Sequence, residues 1–282
     1  MSISVIIISK DRQALLDEAL ASAVGQRLQP TEIIVVDDGS ICPVEVPWLD
    51  SGIPVRVIRQ QQQGASAARN TGARHASGHF LAFLDDDDLW DADYLEKVVS
   101  CAEQHEAGLV VTWMDTLNGE LRGRGKRIAP DLLDNELYSS NPGVTGSNIL
   151  FTSALFQRLD GFDESLMISE DKDILIRSIP LGTVAVLQNA LVQHRIHTSS
   201  RLSDNIRNDK TKMLCKEYFL KKHSDSMPPA SRSRMFAELA GSYILFKCGY
   251  AKFPVGIIYA FRSVWARFES ILPKIAELSI KN

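Results

Sequence analysis

The chain has 282 residues, 45% of them hydrophobic and 23% charged, which is ordinary for a soluble globular protein and long enough for one large domain or a domain with an appendage. Its four cysteines, Cys42, Cys101, Cys215 and Cys248, are widely spaced without a CxxC pair, which argues against a zinc site or a disulfide framework and fits a reducing compartment. The net charge of −4 hides an asymmetry: residues 1–194 hold 15 Lys and Arg against 28 Asp and Glu, whereas residues 195–282 hold 16 against 7. An acidic body suggests cation handling and a basic tail an anionic partner; equally, the tail could neutralise the body by packing on it.

The N-terminus, MSISVIIISKDR, has no basic leader region and reads as a first strand, SVIII at 4–8, β-branched and apolar as in a strand buried on both faces. Leu15, Leu16, Ala19, Leu20 and Ala23 then recur at helical spacing. EIIVV (32–36) repeats the strand pattern and ends in DDGS, a turn signal, and PVRVI (54–58) is a third strand. GASAARNTGARHA (64–76) reads as a helix and HFLAFL (79–84) as a fourth strand, followed by four aspartates, Asp85 to Asp88, and a helix near 91–105. GLVVTW (108–113) is a fifth strand. This alternation predicts an open, mostly parallel α/β sheet.

Beyond it the pattern loosens. NGELRGRGKR (118–127) reads as a loop, GSNILF (146–151) as a strand, TSALFQRL (152–159) as a short helix, SEDKDILIRSI (169–179) as a helix and TVAVL (183–187) as a strand. After about 200 the chain turns helical, with a helix pair over 235–268 broken near Pro254. No uncharged apolar run approaches the roughly 18 residues of a membrane span.

In open α/β sheets ligands bind beyond the carboxyl ends of the strands, where Asp37, Asp38 and the run Asp85–Asp88 fall. In extended backbone Asp85 and Asp87 point to the same side, and two converging carboxylates suit Mg²⁺ or Mn²⁺ completed by phosphate oxygens and water. The bland alternative is a solvated acidic turn capping the helix near Asp91.

Seven strings, SVIIISKDR, EIIVVDDGS, GASAARNTG, FLAFLDDDDLW, TGSNILF, GFDESLMISEDKDILIR and HRIHTSS, occur in order across about residues 3–200. Together they resemble glycosyltransferase family 2, inverting enzymes with the GT-A fold. The resemblance implies an open, mostly parallel, twisted sheet flanked by helices over residues 1–200, with residues 201–282 as a helical C-terminal extension. It implies a metal-dependent inverting transfer from a nucleoside-diphosphate sugar, a UDP-sugar, to the hydroxyl of a glycan or lipid-linked saccharide in surface polysaccharide synthesis. It places Asp38 on the base or ribose and Ile8, Ser9, Asp11 and Arg69 near the nucleotide. The DxD motif falls on Asp85, Asp86 and Asp87, with Asp87 on Mn²⁺ or Mg²⁺, Asp85 reaching it through water or holding the ribose, and His197 as a further metal contact. Glu170 and Asp171 match the family's catalytic acids, with Asp171 the base that takes the acceptor's proton.

Two departures stand out. ISKDR replaces the family's usual PTYNR, and Lys172 replaces an aromatic residue beside the base, where its charge would lower the Asp171 pKa. The basic tail, with FPVGIIYAF (253–261) followed by Arg262, Arg267 and Lys274, suggests either peripheral contact with the inner face of the cytoplasmic membrane or packing on the body or a second subunit. Nucleic acid is not an expected partner. A sugar-nucleotidyltransferase is disfavoured because SKDRQALL lacks the glycine-rich phosphate loop after the first strand. A non-catalytic sugar-nucleotide-binding subunit is disfavoured by the retained Asp85, Asp87 and Asp171.

Overall fold

The computed structural model describes residues 1–46, 52–130, 136–182, 184–196 and 209–248. The chain divides into two units, Met1–Arg201 and Leu202–Asn282.

The first unit is built on a nine-stranded sheet. In chain order its elements are β1 (Ile3–Ser9), α1 (Gln13–Val24), β2 (Glu32–Asp38), β3 (Val55–Gln60), α2 (Ala65–His75), β4 (Phe80–Asp85), β5 (Asp88–Trp90), α3 (Tyr94–Gln104), β6 (Leu109–Asn118), β7 (Leu121–Arg124), α4 (Glu136–Ser139), β8 (Ile149–Thr152), α5 (Ser153–Arg158), α6 (Glu170–Ser178) and β9 (Val184–Arg195). The strand order is β3-β2-β1-β4-β8-β6-β9-β5, with β7 pairing β6. β3, β2, β1 and β4 run parallel, as do β6 and β9. β8 lies antiparallel between β4 and β6, so the sheet is mixed and not a simple parallel succession.

The apolar runs explain the centre of this sheet. Every residue of β1 and β2 is buried, as expected for strands covered on both faces. Leu16, Ala19, Leu20 and Ala23 form the buried stripe of α1. α2 lies close against the sheet because Gly72 has no side chain: a Cβ there would fall 2.4 Å from Ile6 Cγ2. Phe83, Phe151, Phe156 and Phe162 pack on one another, mostly edge to face, with ring centroids 5.3–6.4 Å apart. Each buried ring contributes about 1.5–3 kcal/mol by burial.

At the amino end of the sheet Glu32 is buried on β2. Its Oε1 accepts from Ser4 Oγ, Ser77 N and Ser77 Oγ, each at 2.7 Å, and Arg56 Nη2 donates to Oε2 at 2.6 Å. Burial alone would push this carboxyl up, but the serine donors and Arg56 overcome it and hold it down at about 2.

Three elements depart from the sequence pattern. The 118–127 stretch is a β-hairpin arm, β7, whose four residues are all exposed and so carry no apolar alternation. Part of the aspartate run forms β5, which pairs antiparallel with Val192–His194. The strand anticipated at 183–187 extends to Arg195, crossing polar Gln188 and Asn189 through a register shift opposite Thr112–Met114. Backbone pairing holds these segments where side-chain periodicity is silent.

In the second unit α7 (Asp209–His223) and α8 (Pro229–Cys248) pack on each other, with Pro229 at the first position of α8. Met213, Phe219, Leu220, Met227, Met235 and Leu239 are buried. The anticipated break near Pro254 lies outside the described residues. Among the described residues no helix is long and apolar enough to cross a membrane.

Candidate active site

Parallel registration of β1 with β2 and β4 brings several predicted residues to one edge. Ser9 lies beside Asp37, and Ile8 beside Asp85. Ile8 is buried, and Ser9 Oγ donates to Asp86 Oδ2 at 2.7 Å. Asp11 adopts the left-handed conformation at φ 56°. Its N–H donates to Ser40 Oγ at 2.9 Å, and its Oδ1 accepts from Ile41 N at 2.6 Å, tying the loop after β1 to the loop after β2. Asp37 accepts from Ser40 N at 2.8 Å and Val44 N at 3.3 Å and is a turn-forming carboxylate. Asp38 accepts from Gln60 Nε2 and Gln63 N at 2.8 Å and from Gly64 N at 2.9 Å, so it organises the entry to α2.

The aspartate run is not extended throughout. β4 ends at Asp85, Asp86 and Asp87 form a turn, and Asp88 opens β5. Asp85 and Asp87 therefore do not share a strand face, and the run does not cap the following helix, which begins at Tyr94. The four carboxylates are divided among Arg69, Arg12 and His194, with Asp86 and Asp87 sharing Arg12. Arg69 Nη2 lies 2.7 Å from Asp85 Oδ1. Arg12 Nη1 lies 3.3 Å from Asp86 Oδ1 and 2.9 Å from Asp87 Oδ2. His194 Nδ1 lies 2.9 Å from Asp88 Oδ1, and Arg195 N donates to the same oxygen at 3.2 Å. Arg195 Nε donates to Asp87 O at 3.2 Å and its Nη2 pairs with Glu18 at 2.7 Å, so β9 latches the aspartate turn.

Arg69 joins this turn to α6. Its side chain is only 3% exposed, which rules out a helix-surface arginine. Nη1 lies 3.2 Å from Glu170 Oε1 and 3.8 Å from Asp171 Oδ1. The neighbouring Asn70 secures the loop before α6: its Nδ2 donates to Phe162 O and Glu164 Oε1, and its Oδ1 accepts from Phe162 N, all at 2.9 Å. Ser169, at φ 68°, makes no side-chain cap, and the Asp171 Oδ1 accepts no hydrogen bond. Glu170 and Asp171, in the first turn of α6, thus face Arg69.

Burial raises Asp171 well above the usual carboxylate range, Glu170 adds to the rise and Arg69 opposes it. The expected lowering by Lys172 is overturned: Lys172 Nζ donates to Tyr138 O at 3.1 Å, and the net movement of Asp171 is upward. Burial likewise raises Asp85 against the pull of Arg69 and pushes Asp86 up to about 7 against the Ser9 hydroxyl. For Asp88 burial is outweighed by His194, and the carboxyl falls. The arrangement concentrates carboxylates around fixed internal counter-cations, and burial raises the proton affinity of Asp85, Asp86 and Asp171.

Arg12 and His194 were not anticipated. Arg12 is visible in SKDR, but nothing in that string points to carboxylates 74 and 75 residues away. His194 opens HRIHTSS, yet its role depends on the pairing of β9 with β5. His197 lies outside the described residues. Among the described residues no group of three His, Cys, Asp or Glu side chains is arranged to hold a metal ion.

Residues 4–160 match the family model described as glycosyl transferase family 2. The chain belongs to glycosyltransferase family 2. It is 38% identical over 182 residues to the glycosyltransferase YwdF of Bacillus subtilis, covering 63% of this chain and 68% of that protein. It is 27% identical over 190 residues to WfgD of Escherichia coli, named a UDP-Glc:alpha-D-GlcNAc-diphosphoundecaprenol beta-1,3-glucosyltransferase, covering 64% of this chain and 74% of that one. The chain spans 64% of the length of the first curated relatives it matches, from Rickettsia prowazekii and Rickettsia typhi. Among solved structures, TarS 1–349 of S. aureus in complex with UDP-GlcNAc superposes with a TM-score of 0.61 at 20% identity, over 87% of this chain and 73% of that one. This likeness establishes the fold of the family 2 domain, an open α/β sheet flanked by helices.

Proposed function

We propose that this family 2 chain is a metal-dependent inverting glycosyltransferase that moves a sugar from a UDP-sugar to a hydroxyl of a lipid-linked glycan. The observation that carries the reading is the convergence, through Arg69, of Asp85 with Glu170 and Asp171 from a different part of the chain. Inverting transfer needs a carboxylate that takes the acceptor's proton as the anomeric carbon gains oxocarbenium character, and no covalent enzyme intermediate. Asp171 is assigned that role. Its raised proton affinity makes its anion the stronger base, and Arg69 holds it in place. Glu170 supports Asp171 through its charge and its own contact with Arg69. The nucleotide end of the donor is assigned to Asp38 with Ile8, Ser9 and Asp11, and its ribose and sugar side to Arg69, Asp85 and Asp86.

The donor set at 85–87 is all carboxylate oxygen, which fits Mn²⁺ or Mg²⁺ better than a softer ion. Asp87 and Asp85 would hold it, with His197 as a further contact. Such an ion takes one or two carboxylates and completes its shell with phosphate oxygens and water, and it would offset charge on the leaving diphosphate. The choice of a uridine donor and a lipid-diphosphate acceptor follows the name of the E. coli relative and the UDP-GlcNAc bound to TarS. The basic segment 195–282 suits peripheral contact with an anionic membrane, a partition readable by co-sedimentation with vesicles containing phosphatidylglycerol.

The test is a thermal-shift panel of UDP-, GDP- and dTDP-sugars with and without MnCl₂, followed by assay of nucleoside diphosphate release with lipid-diphosphate saccharides. Ligand binding only the folded state raises the melting temperature. A UDP-sugar is expected to give the largest Mn²⁺-dependent rise. Release of pyrophosphate in place of UDP would overturn the reading, as would full transfer activity in both Asp87→Asn and Asp171→Asn.

A further inference from the structure

We propose that Gly146 is a positioning residue: its missing side chain leaves the slot occupied by the Arg69 guanidinium, and through Arg69 it fixes Asp85 and Asp171 relative to one another. A Cβ on Gly146 would lie 2.6 Å from Arg69 Nε, 2.6 Å from Nη2 and 2.8 Å from Cζ. Such distances are far inside van der Waals contact, so the guanidinium could not stay where it is. The backbone itself does not demand glycine, because Gly146 is not among the residues with positive φ. The guanidinium is therefore the reason for the glycine.

The guanidinium has little freedom to yield. Its Cζ lies 5.3 Å from the centre of the Phe162 ring. That ring is locked among Phe83, Phe151 and Phe156, and its backbone is held by Asn70 on the same helix as Arg69. Gly146 is anchored too. It opens the 3₁₀ turn Gly146–Asn148, where Ser147 Oγ accepts from Asp85 N at 3.1 Å and Ser147 O accepts from Trp90 Nε1 at 2.7 Å. Asn148 Nδ2 donates to Thr112 O and to Gly143 O at 2.9 Å for the latter. The turn before β8 and the arginine of α2 therefore meet as two rigid parts with no spare volume. A methyl group between them drives the guanidinium off Asp85 and Asp171, the two carboxylates that it spans at 2.7 and 3.8 Å.

The inference rests on the proposed function only for its kinetic consequence. The test combines a crystal structure of Gly146→Ala with a double-mutant cycle against Arg69→Ala. In the crystal structure the Arg69–Asp85 pair is expected to open beyond 4 Å. In transfer from a UDP-sugar, Gly146→Ala is expected to lose about 10²-fold in kcat, the scale of a misplacement of about an ångström, with donor KM rising as well because Arg69 and Asp85 are assigned to the donor's ribose and sugar side. Arg69→Ala should lose at least as much, and adding Gly146→Ala to it should cost nothing further, because the clash has gone. A retained pair in the crystal, or losses that multiply in the double variant, overturns the proposal. If Gly146→Ala is insoluble while Arg69→Ala is soluble, recovery of soluble protein in the double variant supports the clash and failure to recover it refutes it. If wild-type protein turns over no nucleotide sugar, the functional reading fails while the crystal structure still decides the positioning role.

Discussion

Glu32 lies at the amino end of the sheet, away from the acidic turn, and its replacement by glutamine isolates stability from chemistry. The carboxylate takes three hydrogen bonds from Ser4 and Ser77 and one from Arg56, which hold it at about 2 against an ordinary 4.5. At 1.36 kcal/mol per pH unit the gap is worth about 3 kcal/mol. The sign follows from linkage: the folded pKa is depressed, so the stabilisation is complete above about 4.5 and is lost as pH falls toward 2. At pH 3 about 2 kcal/mol of it should have gone. Urea unfolding of wild type and Glu32→Gln at several pH values between 6 and 3 reads the difference directly. Wild type should be more stable by about 2–3 kcal/mol at pH 6, with the gap narrowing by about 2 kcal/mol at pH 3. A gap constant within about 0.5 kcal/mol over that range would refute the ionic origin of this contribution.

Asp171→Asn should lower kcat for transfer by 10²-fold or more while UDP binding by calorimetry stays within about threefold. The pH profile of kcat/KM should show an acidic limb above the ordinary carboxylate range, because Asp171 is raised by burial and by Glu170. Glu170→Gln removes one of those charges, so the limb should move to lower pH; movement to higher pH contradicts the assignment. Stripping divalent ions with EDTA should abolish transfer and MnCl₂ should restore it in wild type, with Asp87→Asn needing roughly tenfold or more Mn²⁺ for half-recovery. Gly72→Ala puts a methyl 2.4 Å from Ile6 Cγ2 and should cost about 1–3 kcal/mol in thermal unfolding.

The strands legible in advance were those buried on both faces. SVIII and EIIVV are apolar from end to end because helices cover both sides of the sheet. β7 has four exposed residues, β9 crosses polar Gln188 and Asn189, and β5 opens on the last aspartate of the run. Their existence depends on partners distant in the chain, and local pattern carries no trace of it. At the candidate site the carboxylates were legible as strings, since Asp85–Asp88 and Glu170–Asp171 are contiguous in sequence. Their counter-ions were not. Arg12 reaches across 74 residues and Arg69 across 101, and single arginines look alike until the fold brings them to an acid. Gly146 was equally hidden, because the reason for its lack of a side chain lies on α2.

Arg69 and Asn70 are adjacent on α2, yet one addresses the acidic groups and the other the loop at 162–164. Adding or deleting a residue in the short connection 61–64 would break the contacts of Gln63 N and Gly64 N with Asp38 that lead into this helix. Natural length variation in this domain should therefore be absent between β3 and α2 and tolerated at the tip of the β6–β7 hairpin, where Gly119 and Glu120 face solvent. A library of single-codon insertions would map this rigidity as a gap in recovered active clones.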